Sequence, residues 1–188
     1  MFSPSERRYT RLWIGWISVS AGSMGVAAFF AILLQQQLGF RGMELFLCLS
    51  STLLSLGEWD IQRRYVKLSR WWMGLGVIAF LPLFLLPSDH LFWDAILIST
   101  IVWVIGQGAL LVRRLPRLWL WLLANVLAWW PLSMATLLVV FTPPTPHISV
   151  WSPLLMGGIS GVILGIFRGG ALALMLRERD QRQSNTGH

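Results

Sequence analysis

Thirteen of the fifteen Lys and Arg residues fall in four short clusters separated by long apolar stretches. The clusters are Arg7, Arg8 and Arg11; Arg63, Arg64, Lys67 and Arg70; Arg113, Arg114 and Arg117; and Arg177, Arg179 and Arg182, while only Arg41 and Arg168 lie elsewhere. A helix rises 1.5 Å per residue, so about 20 apolar residues cross a hydrocarbon core. Six stretches reach or approach that length: residues 12–34, 42–59, 71–86, 91–112, 118–141 and 151–176. Cationic loops are retained on the cytoplasmic side of a membrane. The pattern therefore predicts both termini, and the loops after the second and fourth stretches, inside. The outer loops are then 35–41, 87–90 and 142–150, which share a single arginine, Arg41.

The expected fold class is all-α, a polytopic membrane protein with six transmembrane helices in three hairpins. A cytoplasmic N-terminus (1–11) precedes the six-helix bundle (12–176), and a cytoplasmic tail (177–188) follows it. The expected location is a bacterial inner membrane or another energy-transducing one. With 55% hydrophobic and 12% charged residues, little length is left for a soluble domain. The net charge of +7 is spread over short loops beside a bilayer, which makes anionic lipid the expected counter-charge and excludes nucleic acid as a partner. A single cysteine, Cys48, excludes an intrachain disulfide and any multi-cysteine metal site. Arg7 to Ala28 has the order of a secretory signal, but its apolar run is too long for one.

The hairpins share a grammar. Odd-numbered stretches open on Arg11 with Trp13 and Trp16, Arg70 with Trp71 and Trp72, and Arg117 with Trp119 and Trp121. Tryptophan favours the headgroup boundary, so these marks locate the inner interface. Even-numbered stretches leave through Gly57-Glu58 to Arg63-Arg64, Gly106-Gln107 to Arg113-Arg114, and Gly169-Gly170 to Arg177. Such segments resemble the hairpins of small, uncharacterised multi-pass bacterial membrane proteins built on a Gly-x-x-Gln-Trp-Leu-x-Leu-Arg pattern. Glu58 replaces the glutamine in the first unit and the third unit has none, and the resemblance implies architecture alone.

Polar and small residues within the stretches are the candidate functional positions. Gly157, Gly161, Gly165 and Gly169 recur every four residues and form a ridge on one helix face. Such a ridge packs closely, either inside its own bundle or against another copy. Arg168 lies seven residues after Gly161, nearly on that face, and nine residues before Arg177, roughly 13 Å deep. An intramembrane arginine demands a partner. Glu58, five residues before Arg63, is the expected one. Gln107, six residues before Arg113, and Asn125, eight after Arg117, fall at similar depth, as do Ser18 and Ser20. These positions predict a buried polar layer of Glu58, Gln107, Asn125 and Arg168, serving either as interhelical glue or as a functional site.

Pro82, Pro131 and the pair Gly22 and Gly25 fall near the middle of the odd stretches and predict interrupted helices. Interruptions of that kind mark transporter sites and also ordinary kinks. The run Gly158-Ile159-Ser160-Gly161 is similar to the Gly-x-Ser-Gly nucleophile motif of rhomboid intramembrane proteases. A rhomboid serine is activated by a histidine on a later helix, and the only histidines here are His90, His147 and His188, in loops or at the end. No catalytic residue, metal ligand set or cofactor site is expected. Alternating charge in the tail predicts a frayed and disordered end.

The leading functional expectation is a non-catalytic membrane subunit, partnered by another membrane protein or by its own copies, with anionic lipid at the basic loops. The alternative is a small-solute transporter or its substrate-binding subunit with a midplane polar site. Size and topology resemble the six-helix substrate-binding subunits of energy-coupling-factor vitamin transporters, whose small-residue face Ala21, Gly25 and Ala28 faintly echo. An intramembrane protease is a remote third.

Overall fold

A computed structural model describes residues 4–38, 42–66, 69–81, 92–128 and 151–186. All regular structure among them is helical: α1 (Pro4–Leu38), α2 (Gly42–Gln62), α3 (Trp71–Ile78), α4 (Phe92–Leu111), α5 (Leu118–Ala128) and α6 (Trp151–Thr186). Pro4 opens α1, where its missing N–H is no loss, and Glu6 in that first turn complements the helix dipole. Among the described residues three helices are long and apolar enough to cross a membrane: Glu6–Leu34, Asp94–Leu111 and Leu154–Asn185. That is fewer than the six expected. α2 has the length, at 21 residues, but Glu44, Glu58 and Asp60 dilute its apolar character. The regular part of α3 is eight residues long, and α5 is the shorter apolar helix Leu118–Ala128.

Glycines set how the helices meet. A methyl group added at Gly157, Gly161, Gly165 or Gly169 would fall closer than 3.0 Å to Met24, Ser20, Ile17 or Trp16 respectively. The partner number falls as the glycine number rises, so α1 and α6 run antiparallel along the whole ridge. The ridge is thus spent inside one chain. Gly57 meets Val19 and Gly15 meets Ile61, which makes α1 and α2 antiparallel as well. Gly76 on α3 sits against Ser51 and Ser55 of α2, and Gly106 on α4 against Leu75 of α3.

Two apolar clusters stack along the bundle axis. One holds Met24, Phe46, Leu54, Phe80, Trp103 and Leu164, and the other holds Trp16, Trp72, Leu111, Trp121 and Leu172. On α4, Gln107 falls between Trp103 and Leu111, and on α6, Arg168 falls between Leu164 and Leu172. A polar layer therefore separates two dry ones.

Two expectations fail. α1 continues unbroken through Gly22 and Gly25, so the first stretch is not interrupted there. Nothing lies within 4 Å of a methyl built on Gly22, and Gly25 serves as a contact point for Leu154 and Gly158. Neither glycine is needed for a break. The tail is not frayed either, since α6 stays helical to Thr186. Asp180 accepts a hydrogen bond from the Tyr9 hydroxyl at 2.8 Å and lies 3.7 Å from Arg8. Glu178 pairs with Arg117 at 3.1 Å and Arg182 at 2.8 Å. Arg117 holds a left-handed φ of 54°, which costs an L-residue about 1–2 kcal/mol. α1 runs on to Leu38, so the first outer loop begins later than the expected residue 35. Pro82 and Pro131 lie outside the described residues, as do residues 39–41, the other two outer loops and the three histidines.

Candidate functional site

Arg168 is 1% exposed and Glu58 is fully buried, and their side chains meet through Nη1 and Oε1 at 2.5 Å. Nη2 of the same guanidinium donates to Oε1 of buried Gln107 at 2.5 Å. The flat faces of the cation are covered by indoles, Trp103 at 4.9 Å and Trp121 at 4.7 Å from ring centroid to Cζ. A desolvated cation over an aromatic face gains about 2 kcal/mol. The trio of ion pair, amide and two rings thus offsets the insertion penalty of about 2.5–3.5 kcal/mol for arginine at membrane depth.

Each partner is delivered by its own helix. α6 is drawn against α1 by its glycines, which fixes the axial position of Arg168. α2 brings Glu58 to that level because Gly57 lets it approach Val19. α4 presents Trp103 and Gln107, four residues apart and so on one face. Trp72 of α3 stands beside the Glu58 carboxyl, and its ring lies 5.7 Å from that of Trp121. Trp16 of α1 meets Trp121 edge-on at 6.3 Å. Five helices therefore converge on the pair, with α5 contributing Trp121.

Asn125 does not join them. Its Nδ2 donates to the Trp121 carbonyl at 2.7 Å, one turn back on its own helix. It lines a different feature, a mainly apolar groove of about 370 Å³ between α4 and α5 bounded by Leu97, Thr100, Ile101, Val104, Ile105 and Val126. The four expected members of the polar layer thus resolve into a bonded trio and one residue apart. Ser20 is buried and Ser18 exposed. Ser160 donates to the Met156 carbonyl at 3.0 Å, so its hydroxyl is engaged with its own helix.

Sequence reasoning missed the rest of the α2 face. Ser51, Ser55 and Gln62 are each 2% exposed or less, and Glu44 is 4% exposed. Ser51 donates to the Gly76 carbonyl at 2.9 Å, a bond between neighbouring helices. The signal was present, because positions 44, 51, 55, 58 and 62 repeat at intervals of seven, four, three and four, which is one helix face. Among the described residues no group of three or more His, Cys, Asp and Glu side chains is arranged to hold a metal ion.

No protein-family model matches the chain, no curated protein matches it, and no solved structure matches it.

Proposed function

We propose that the chain is an integral membrane protein of six spans in three hairpins, with both termini cytoplasmic. Its role is that of a non-catalytic subunit or partner of a membrane complex, in a bacterial inner membrane. The observation that carries this reading is how the arginine is used. Its charge is met by Glu58, its second nitrogen by Gln107 and its faces by two indoles, all within one chain. A cation so occupied acts as a lock between helices, not as a receptor for a charged solute. Because α1 takes up the glycine ridge, a partner is met elsewhere, and we place it on the apolar flank of α4, α5 and α6, where Ile98, Ile105, Val126 and Ile159 are among the exposed side chains.

Purification in mild detergent after cross-linking in the membrane tests the role. A defined protein recovered in constant ratio, and lost when Ile98 and Ile105 are replaced by tryptophan, supports the subunit reading. A monodisperse protein that exchanges a labelled solute across vesicles supports the transporter alternative. That second reading is favoured by one observation, the Ser55 hydroxyl and the Gln62 amide of α2, both buried with no hydrogen-bond partner among the described residues. Labelling of a cysteine placed at Ser69 or Ser184, in a Cys48→Ala background, tests the orientation. A membrane-impermeant reagent reaches both only from the cytoplasmic side if the topology is right.

A further inference from the structure

The inner half of α2 carries more polarity than a structural ion pair requires. At 100° per residue, Ser51, Ser55, Glu58 and Gln62 fall within an arc of about 60° and cover roughly 16 Å of helix. All four are buried. Both ends of the Gln62 amide and the Ser55 hydroxyl find no hydrogen-bond partner among the described residues, while the Gln107 amide and the Trp72 indole N–H face the Glu58 carboxyl. Orphaned buried polar groups are expensive, and they are found together where water or another polar species is held. Beyond Ser51 the next polar residue of this face is Glu44, seven residues away, and the apolar cluster of Leu47, Phe46 and Phe80 lies between them. The polar strip therefore continues only toward Gln62, which is itself buried one residue before the exposed basic turn at Arg63 and Arg64.

We propose that this strip is a proton path leading from the Gln62 end of the bundle to Glu58, and that Glu58 is an exchangeable proton-binding site in the protein interior. The proposal rests on the six-span reading for the statement that the Gln62 end faces the cytoplasm. Gln62 and Ser55 order water between them, and water so held passes protons to the carboxylate. Uptake moves a proton from hydronium in that water to a carboxylate oxygen: one O–H bond of the hydronium breaks, one forms on Glu58, which is neutralised, and a water molecule is left. Arg168 keeps its charge and its place, because Gln107 and the faces of Trp103 and Trp121 hold it without the carboxylate. The groups facing Glu58 are Arg168 from α6, Gln107 from α4 and Trp72 from α3. The buried side chains of α1 and α5 include no other titratable group. Proton binding thus changes the core from a neutral pair to a single caged cation, a change that a partner or a bound solute can read.

Infrared spectroscopy of the full chain in sealed vesicles tests this. The expected result is a carboxylic-acid carbonyl band that titrates with pH, shifts in D₂O and is missing in Glu58→Gln. Should that variant fail to fold, Glu58→Asp retains the acid and must displace the band. Gln62→Leu is expected to slow the D₂O shift by an order of magnitude with helix content unchanged. A pH jump on the face from which a cysteine at Ser69 is labelled should move the band at once. A response from the opposite face overturns the path, as does an unaltered exchange rate in Gln62→Leu. Absence of any titrating band assigned to Glu58 overturns the site. If the band responds from the Ser69 face but that face proves external, the site and path stand and the proposed orientation fails.

Discussion

Removing one member of a buried ion pair strands the other, and the cost of the stranded charge exceeds the net worth of the pair. Arg168→Leu leaves the Glu58 carboxylate in the bundle with only neutral neighbours, and a loss of about 3–5 kcal/mol is expected. The double variant Arg168→Leu with Glu58→Leu removes both charges, and most of that loss should return. Thermal unfolding in detergent, followed by circular dichroism, measures both. Equal melting of parent and Arg168→Leu would deny the pair any structural role. At the membrane edge the scale is different. Asp60 faces Arg63 at 2.5 Å and Arg64 at 2.8 Å, with all three side chains substantially exposed. The hydrogen bond from Arg63, and the charges of both arginines, hold the Asp60 carboxyl below its ordinary value. A carboxylate depressed on folding adds stability above its unfolded value of about 3.9, and that contribution is lost as pH falls through the folded value. Asp60→Asn should therefore lower the melting temperature slightly at neutral pH. The difference should shrink in high salt and vanish in acid.

At the level of elements, the glycines of α6 separate into two kinds that composition does not distinguish. A methyl at Gly161 would strike the Ser20 carbonyl and the Ala21 backbone, which cannot yield without moving α1. One at Gly158 meets nothing nearer than 4.0 Å. Gly161→Ala is expected to destabilise by about 1–3 kcal/mol through overpacking. Gly158→Ala should be neutral or stabilise by about 0.5–1 kcal/mol, since alanine favours the helix. Melting curves of the two variants decide it, and equal destabilisation would mean that α6 does not seat on α1 through this ridge. The ridge was legible in the sequence because spacing by four is a helix face whatever surrounds it. The pairing of Arg168 with Glu58 was legible because each depth can be counted from a basic cluster. Depth does not give azimuth, however. Gln107 and Asn125 sit at similar distances from their clusters, yet one faces the arginine and the other the groove toward α4. Trp103 and Trp121 read as core or interface residues, because nothing local marks a ring as the cover of a cation. Gln62 adjoins Arg63 and so reads, from the sequence, as the start of a loop. The tail misled for a related reason: alternating charge looks solvated until Arg8, Tyr9 and Arg117 are known to lie beside it.

For the whole molecule the question is how many times the chain crosses. Among the described residues three helices satisfy length and hydropathy together, and an odd number of crossings would put the two ends on opposite faces. The packing argues against that parity. α1 and α6 run antiparallel along the full glycine ridge, and Asp180 near one end of the chain bonds to Tyr9 near the other at 2.8 Å. Arg117 reaches Glu178 at the same end of the bundle. Under the six-span proposal the chain makes an even number of passages between the far end of α1 and the start of α6, with α2, α3 and α5 crossing beside α4. α2 meets α1 at both Gly57 and Gly15, and α3 meets α2 and α4 in turn, so these helices lie side by side in one bundle. Low hydropathy in α2 is the consequence of carrying Glu58 and its polar face inward, where lipid does not meet them. A fluorescent protein fused after His188 is expected to fluoresce, and alkaline phosphatase inserted between residues 142 and 150 is expected to be active. Phosphatase placed at Ser69 should be silent. Replacing Arg63, Arg64, Lys67 and Arg70 together by asparagine removes the retention signal of one loop while three basic clusters remain, so the ends should stay inside and only the phosphatase reading at Ser69 should rise. A silent reporter in the 142–150 loop, or an active one after His188, would mean that the arginine clusters mark something other than the inner face of a membrane.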